Sequence, residues 1–137
     1  MLSKALTGTF FGMLFITSSA TPTPGNINGD YFLECSSKEK QCVINLIEKY
    51  SKEYNYPTQL AKDIAYCESE YKPTALGDSG KAYGIYQFHK NTFNLFSKEK
   101  GEVLDYYNTE DNIKLAIWAL ANDKENHWTC YKKVASR

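Results

Sequence analysis

The chain lacks an excess of either charge: 16 Lys and Arg stand against 16 Asp and Glu, with only two His. That balance excludes the electrostatic footprint of a nucleic-acid binder or of a protein held on an anionic membrane. Metal-ligand patterns are missing as well. No C-x2-C pair occurs, and His89 and His127 sit far from any ligand spacing, so no metal and no cofactor are expected. Neither histidine has neighbours that suggest nucleophilic catalysis. Repeats, heptad arrays and low-complexity tracts are absent too. Beyond residue 20 no apolar run approaches the roughly 20 residues needed to cross a bilayer. Recognition must then come from shape, hydrogen bonds and aromatic contact. The supply of aromatics is large: eleven Tyr, seven Phe and two Trp. Most of these are expected in the core, because each buries a large apolar area.

The first 20 residues read differently from the rest. Lys4 gives a weak positive start, an apolar run follows from Ala5 to Ile16, and Ser18-Ser19-Ala20 fits a small-residue cleavage site. We expect a signal peptide over residues 1–20, in preference to an uncleaved anchor. The processed protein is then secreted or held in the cell envelope, with no stable membrane insertion. Loss of Lys4 leaves one net negative charge. Residues 21–34, with Pro22, Pro24, Gly25 and Gly29, read as a flexible lead-in. Residues 35–137 read as one domain.

All four cysteines follow the leader: Cys35, Cys42, Cys67 and Cys130. An even count behind a signal peptide points to two disulfides, and three pairings are open. We favour Cys35–Cys42, which closes a short local loop, with Cys67–Cys130, which ties the C-terminal segment to the middle of the chain. The second closure would stabilise by up to ~4 kcal/mol through lost chain entropy.

Hydrophobic periodicity predicts a mainly α fold with a loop-rich middle. Ser36 and Glu39 form a capping box. Val43, Ile44, Leu46, Ile47, Tyr50 and Tyr54 line one helical stripe. Leu60, Ala61, Ile64 and Ala65 line a second, running up to Cys67 and Glu68. Pro73 and Gly77-Asp78-Ser79-Gly80 break regular structure, and residues 83–88 leave room only for a short strand or turn. A third helix is predicted over residues 91–100 with Gly101 just past its end. Thr109 is positioned to cap a fourth, which buries Ile113, Ala116, Ile117 and Leu120. A short final element holds Trp128, Cys130 and Tyr131.

Two short segments carry the chemistry. Cys67-Glu68-Ser69 puts a carboxylate at a predicted helix end, near unsatisfied carbonyls and the negative end of the helix dipole. Burial there would add a desolvation effect of the same sign. Both raise a glutamate pKa, as a general acid near neutrality requires. Gly84-Ile85-Tyr86-Gln87 is a glycine turn ending in an amide. A raised-pKa acid beside a polar, aromatic-lined turn is the minimum for cleaving a glycosidic bond.

Glu68-Ser69, then Gly84-Ile85-Tyr86-Gln87, then Glu110-Asp111-Asn112 resemble the three ordered motifs of soluble lytic transglycosylase catalytic domains: Glu-Ser, Gly-Leu-Met-Gln and Ala-Glu-Asn. The resemblance runs from about Ser37 to Tyr131. It implies a small, lysozyme-like helical fold and cleavage of peptidoglycan glycan strands. Residue by residue, it makes Glu68 the catalytic acid/base, with Ser69 and Asn112 supporting the site. Gln87 then lies near bound sugar. Tyr86 replaces a methionine, and Glu110-Asp111 replaces Ala-Glu. A fourth motif, a tyrosine near the acid, has Tyr83, Tyr106, Tyr107 and Tyr131 as candidates. Because of the adjacent motif, Tyr83 and Tyr86 are assigned to a sugar-binding groove, while Trp128 is expected to pack beside Cys130.

The chain is also similar to goose-type lysozymes, in which an aspartate in a Gly-Asp turn positions water. Gly77-Asp78 matches that turn, which makes Asp78 the candidate second acid. Inverting hydrolysis needs a second carboxylate roughly 6.5–9.5 Å from the first; a lytic transglycosylase needs none, since the sugar's own C6 hydroxyl attacks. Asp-Ser-Gly is also ordinary turn chemistry, and we read Asp78 first as a turn residue. The expectation is a transglycosylase acting on the MurNAc-β-1,4-GlcNAc bond. A muramidase using Glu68 and Asp78 is the alternative within the class. A non-catalytic glycan-binding module is the alternative outside it. Oligomeric state and the origin of the target wall are not legible.

Overall fold

The computed structural model describes residues 40–136. The expected leader and lead-in, the Ser36/Glu39 box, and Cys35 with its pairing to Cys42 lie outside the described residues.

Five helices and a minimal sheet make up the described fold. Helix α1 (Lys40–Glu53) turns its predicted stripe inward: Val43, Leu46, Ile47 and Tyr50 are buried. Helix α2 (Thr58–Ser69) starts after Pro57, whose fixed φ suits a helix entrance. It buries Ala61, Ile64, Ala65 and Ser69. Helix α3 (Lys90–Lys100) ends at Gly101, as its composition predicts. The Gly101 N–H bonds back to Ser97 and Lys98, and that of Glu102 to Ser97, closing a left-handed stop.

Helix α4 (Thr109–Leu120) is the centre of the domain. Besides the four residues expected on its inner side, it buries Asn112, Leu115 and Ala119. A helix apolar on most of its circumference must be enclosed, and α1 and α3 pack against α4. Its cap is corrected by one residue. Thr109 is already helical; Asn108, in extended conformation, accepts the Asp111 N–H through its side chain. Glu110 and Asp111 then fall in the first turn, where carboxylates suit the helix dipole.

Helix α5 (Thr129–Ala135) packs on α2. Between α2 and α3 lie β1 (Leu76–Gly77), β2 (Ala82–Tyr83) and β3 (Phe88–His89), paired antiparallel in that order. Gly77, Ala82 and His89 are in register across the sheet. Phe88 anchors it to the core, its ring edge-on to Phe93, Phe96 and Trp128. The Tyr106 hydroxyl donates to the Phe88 carbonyl at 2.7 Å. The predicted loop-rich middle is thus a small sheet pinned at its third strand.

Candidate active site

Glu68 sits in the last turn of α2, and the chain leaves that helix under strain. Glu70 (φ 53°) and Tyr71 (φ 64°) are both left-handed, and Asp78, Ser79 and Gln87 share that region. Each such residue costs on the order of 1–2 kcal/mol unless local bonding offsets it. A segment with five of them between residues 70 and 87 must therefore be held from outside.

The holding groups come from the three motifs. Ser69 Oγ donates to the Ile85 carbonyl at 2.8 Å, joining the end of α2 to the glycine turn. Asn112, almost fully buried on α4, accepts the Tyr86 N–H at 3.0 Å and donates to the Tyr83 carbonyl at 3.2 Å. Gln87 Nε2 donates to the carbonyls of Gly84 (2.8 Å) and Ala75 (3.1 Å). The Trp128 indole N–H donates to the Tyr86 carbonyl at 2.8 Å. The carbonyls of residues 83, 84, 85 and 86 are therefore all satisfied, by side chains from α2, α4, the turn itself and the start of the C-terminal segment.

This clamp explains the two inner glycines. Gly84 has φ 83°, and a Cβ there would lie 2.6 Å from Asn112 Nδ2. A Cβ on Gly77 would lie 3.3 Å from the Gln87 amide carbon and overlap its Oε1. The turn is packed as closely as backbone and amide side chains allow.

Asn112→Ala removes both bonds and leaves the buried Tyr86 N–H without an acceptor. We expect a loss of about 2–4 kcal/mol in urea unfolding, together with reduced activity as the turn slackens. Unchanged stability would show that Asn112 does not hold the turn.

Glu68 is half-buried. Its Oε1 lies 3.4 Å from the backbone N–H of Cys130, in the first turn of α5. Burial pushes its carboxyl above the ordinary glutamate value; the Cys130 N–H and the Lys133 ammonium pull it down without cancelling that shift. The expected Cys67–Cys130 disulfide is present and spans 63 residues. It fixes the end of α2 to α5, and so places the Cys130 N–H against Glu68.

Tyr86 does not line a groove. Its side chain is completely buried, and its hydroxyl donates to the Ala61 carbonyl at 2.9 Å. A residue whose N–H, C=O and hydroxyl are all engaged by three other elements is a core strut, which corrects the sugar-binding assignment. Gln87 and Trp128, by contrast, border a cavity of about 210 Å³ together with Phe88, His89, Thr92 and His127. Trp128 is buried in the same core cluster as Cys130, with its ring against Phe88, and its bond to the Tyr86 carbonyl had no signal in the sequence. Tyr83 is half-buried and meets Tyr106 and Tyr107 ring to ring. Of the other tyrosine candidates, Tyr106 is buried and bonded to Phe88, Tyr107 is exposed, and Tyr131 is half-buried on α5.

Asp78 is an exposed turn residue with φ 47°, and its Oδ2 lies 3.1 Å from His89 Nε2. The β1–β2–β3 register brings these two together. Among the described residues no three His, Cys, Asp or Glu side chains gather to hold a metal ion, and no helix is long and apolar enough to cross a membrane. In the third motif, Glu110 Oε1 accepts from Tyr50 Oη at 2.5 Å and from Lys49 at 3.0 Å. Burial pushes Glu110 up, but those two hydrogen bonds and the Lys49 and Lys114 charges outweigh it and hold the carboxyl below its ordinary value. Glu110 therefore ties α4 to α1, and Asp111 accepts the Asp105 N–H.

A small helical domain with a half-buried glutamate at a helix end, fastened to a clamped glycine turn, defines the lysozyme-like glycosidases as its class. The family model of the transglycosylase SLT domain matches residues 45–133, and the chain belongs to that family. This is a lytic transglycosylase family, and its substrate is the peptidoglycan of the cell envelope. No curated protein and no solved structure matches the chain.

Proposed function

We propose that the protein is an exported lytic transglycosylase that cleaves the MurNAc-β-1,4-GlcNAc bond without water, with Glu68 as its general acid and then its general base. The observation that carries this reading is the raised-pKa, half-buried carboxyl of Glu68 beside the turn locked by Ser69 and Asn112. Export rests on the leader-like residues 1–20.

Protonated Glu68 gives its proton to the glycosidic oxygen as the C1–O bond breaks, releasing the GlcNAc C4 hydroxyl. The resulting carboxylate takes the proton of the MurNAc C6 hydroxyl, whose oxygen bonds to C1 and closes a 1,6-anhydro ring. Glu68 ends protonated, so atoms and protons balance within one turnover. A single carboxyl suffices. Asp78 is exposed and faces His89, which favours its reading as a turn residue. Gln87 borders the cavity beside Trp128 and would meet sugar through its amide oxygen, since its Nε2 is engaged by the Gly84 and Ala75 carbonyls.

Product analysis on purified peptidoglycan tests this. Mass spectrometry should find 1,6-anhydromuramic ends. Reducing ends in their place would assign the muramidase mechanism with Asp78. Binding without any cleavage would leave a glycan-binding module.

A further inference from the structure

A second cavity, of about 450 Å³, adjoins the one beside Gln87; His89 and Thr92 line both. Its other walls include Lys81, Lys90, Tyr106 and Tyr107. Six lysines, Lys49, Lys62, Lys72, Lys100, Lys114 and Lys124, are spent on carboxylates in ion pairs. Lys81 and Lys90 make none among the described residues, though both are exposed. The Lys90 ammonium is held instead over two rings, 5.9 Å from the centre of Tyr106 and 5.7 Å from that of Tyr107. Ring faces position a cation without neutralising it. Asp105, next to Tyr106, accepts the Tyr107 N–H, Asp78 faces His89, and neither makes an ion pair with Lys81 or Lys90. This cavity thus presents two cations free of ion pairs among the described residues, beside an aromatic wall. It also borders the cavity that begins at the clamped turn.

Resting on the transglycosylase reading, we propose that this cavity is a carboxylate-accepting subsite, in which Lys81 and Lys90 take the peptide substituent carried by the glycan strand. In a peptide-bearing strand the glycan itself offers only neutral hydroxyls, acetamides and amide-linked lactyl groups to such a site. The peptide attached to each muramic acid ends in carboxylates, and lies to the side of the strand. Tyr107, 61% exposed, gives its backbone and side-chain methylenes an apolar face. The peptide then helps to seat the strand while the sugar bond lies at Glu68, so the subsite acts on binding and leaves the bond-breaking step to other groups.

Two strand preparations, both stripped of anionic wall polymers, separate the possibilities: one keeps its peptides, and the other has them removed by an amidase, which leaves a lactyl carboxylate against each muramic ring but none at the reach of the peptide. Initial rates are measured for the wild type, for Lys81→Gln/Lys90→Gln and for Lys81→Arg/Lys90→Arg. On peptide-bearing strands the Gln variant should raise KM roughly 3- to 10-fold with kcat retained. Its loss there should exceed its loss on peptide-free strands and shrink with added NaCl, while the Arg variant keeps the wild-type KM. Equal losses on the two strands, or no loss on either, overturn the subsite even though the enzyme cleaves both. Binding of the same strands to Glu68→Gln protein reads the subsite without turnover. A preference for peptide-bearing strands that the Gln substitutions abolish supports it, and absence of that preference refutes it. Failure of the wild type to cleave either strand instead strikes the transglycosylase reading.

Discussion

Glu68→Gln is expected to cut turnover by roughly 10²–10⁴-fold, the usual worth of a positioned general acid, while raising stability at neutral pH. Glutamine keeps the oxygen that faces the Cys130 N–H and the volume of the side chain, but it cannot ionise. In the wild type, burial first of all raises the folded-state pKa above the ordinary value of 4.5. A carboxyl raised on folding favours the native state fully while it is protonated, below the unfolded value. That contribution is lost as pH rises from about there through the folded pKa. The glutamine variant has nothing to lose in that window. Thermal melts across mildly acidic to neutral pH should therefore show the two proteins converging in acid and the variant ahead at higher pH. The same titration sets the rate profile: activity should fall on the alkaline side as Glu68 loses its proton. A variant that retains activity would remove Glu68 from the mechanism. A wild type that gains stability over the variant with rising pH would show that the carboxyl is held ionised rather than protonated.

The parts of this site that were legible in the sequence are those carried by helix periodicity or by residue order. The stripe of α2 leads to Glu68 because Ile64, Ala65 and Cys67 fix which turn comes last. The order of the motifs assigns Ser69, Gln87 and Asn112 to one place, although nothing local in Asn112 distinguishes it from a surface asparagine on α4. Tyr86 was misread for a physical reason. A turn residue has no periodicity to say which way its side chain points, and only the packing of α2 behind the turn sends its ring inward to Ala61. The Trp128–Tyr86 bond joins residues 42 apart and depends on where α5 docks. The meeting of Asp78 with His89 is likewise a product of register in three two-residue strands, each too short to leave an alternating pattern. The cap at Asn108 is a smaller case, since Asn108 and Thr109 are both good cap residues and only backbone conformation chooses between them.

Cys67→Ser/Cys130→Ser, the second large effect, is expected to lower the melting temperature by at least ~15 °C. Cross-linking across 63 residues removes loop freedom from the unfolded chain worth about 4 kcal/mol. In a domain of this size each kcal/mol moves the midpoint by roughly 4–8 °C. The site should change as well, because the disulfide joins the last turn of α2 to the first turn of α5. Once it is gone, α5 is held by packing alone, and Glu68 loses two things together: cover from solvent, and the Cys130 N–H. These act in opposite directions, since burial raises the carboxyl and the N–H lowers it. Burial is the larger of the two, so the carboxyl should fall towards its ordinary value. The alkaline limb of activity should then move to lower pH in the serine variant, measured well below its melting point. A variant that melts far earlier but keeps the wild-type limb would limit the disulfide to stapling the chain. One that shifts the limb as expected would show that the cross-link also tunes the acid, by keeping water from a carboxyl that burial holds above its ordinary value.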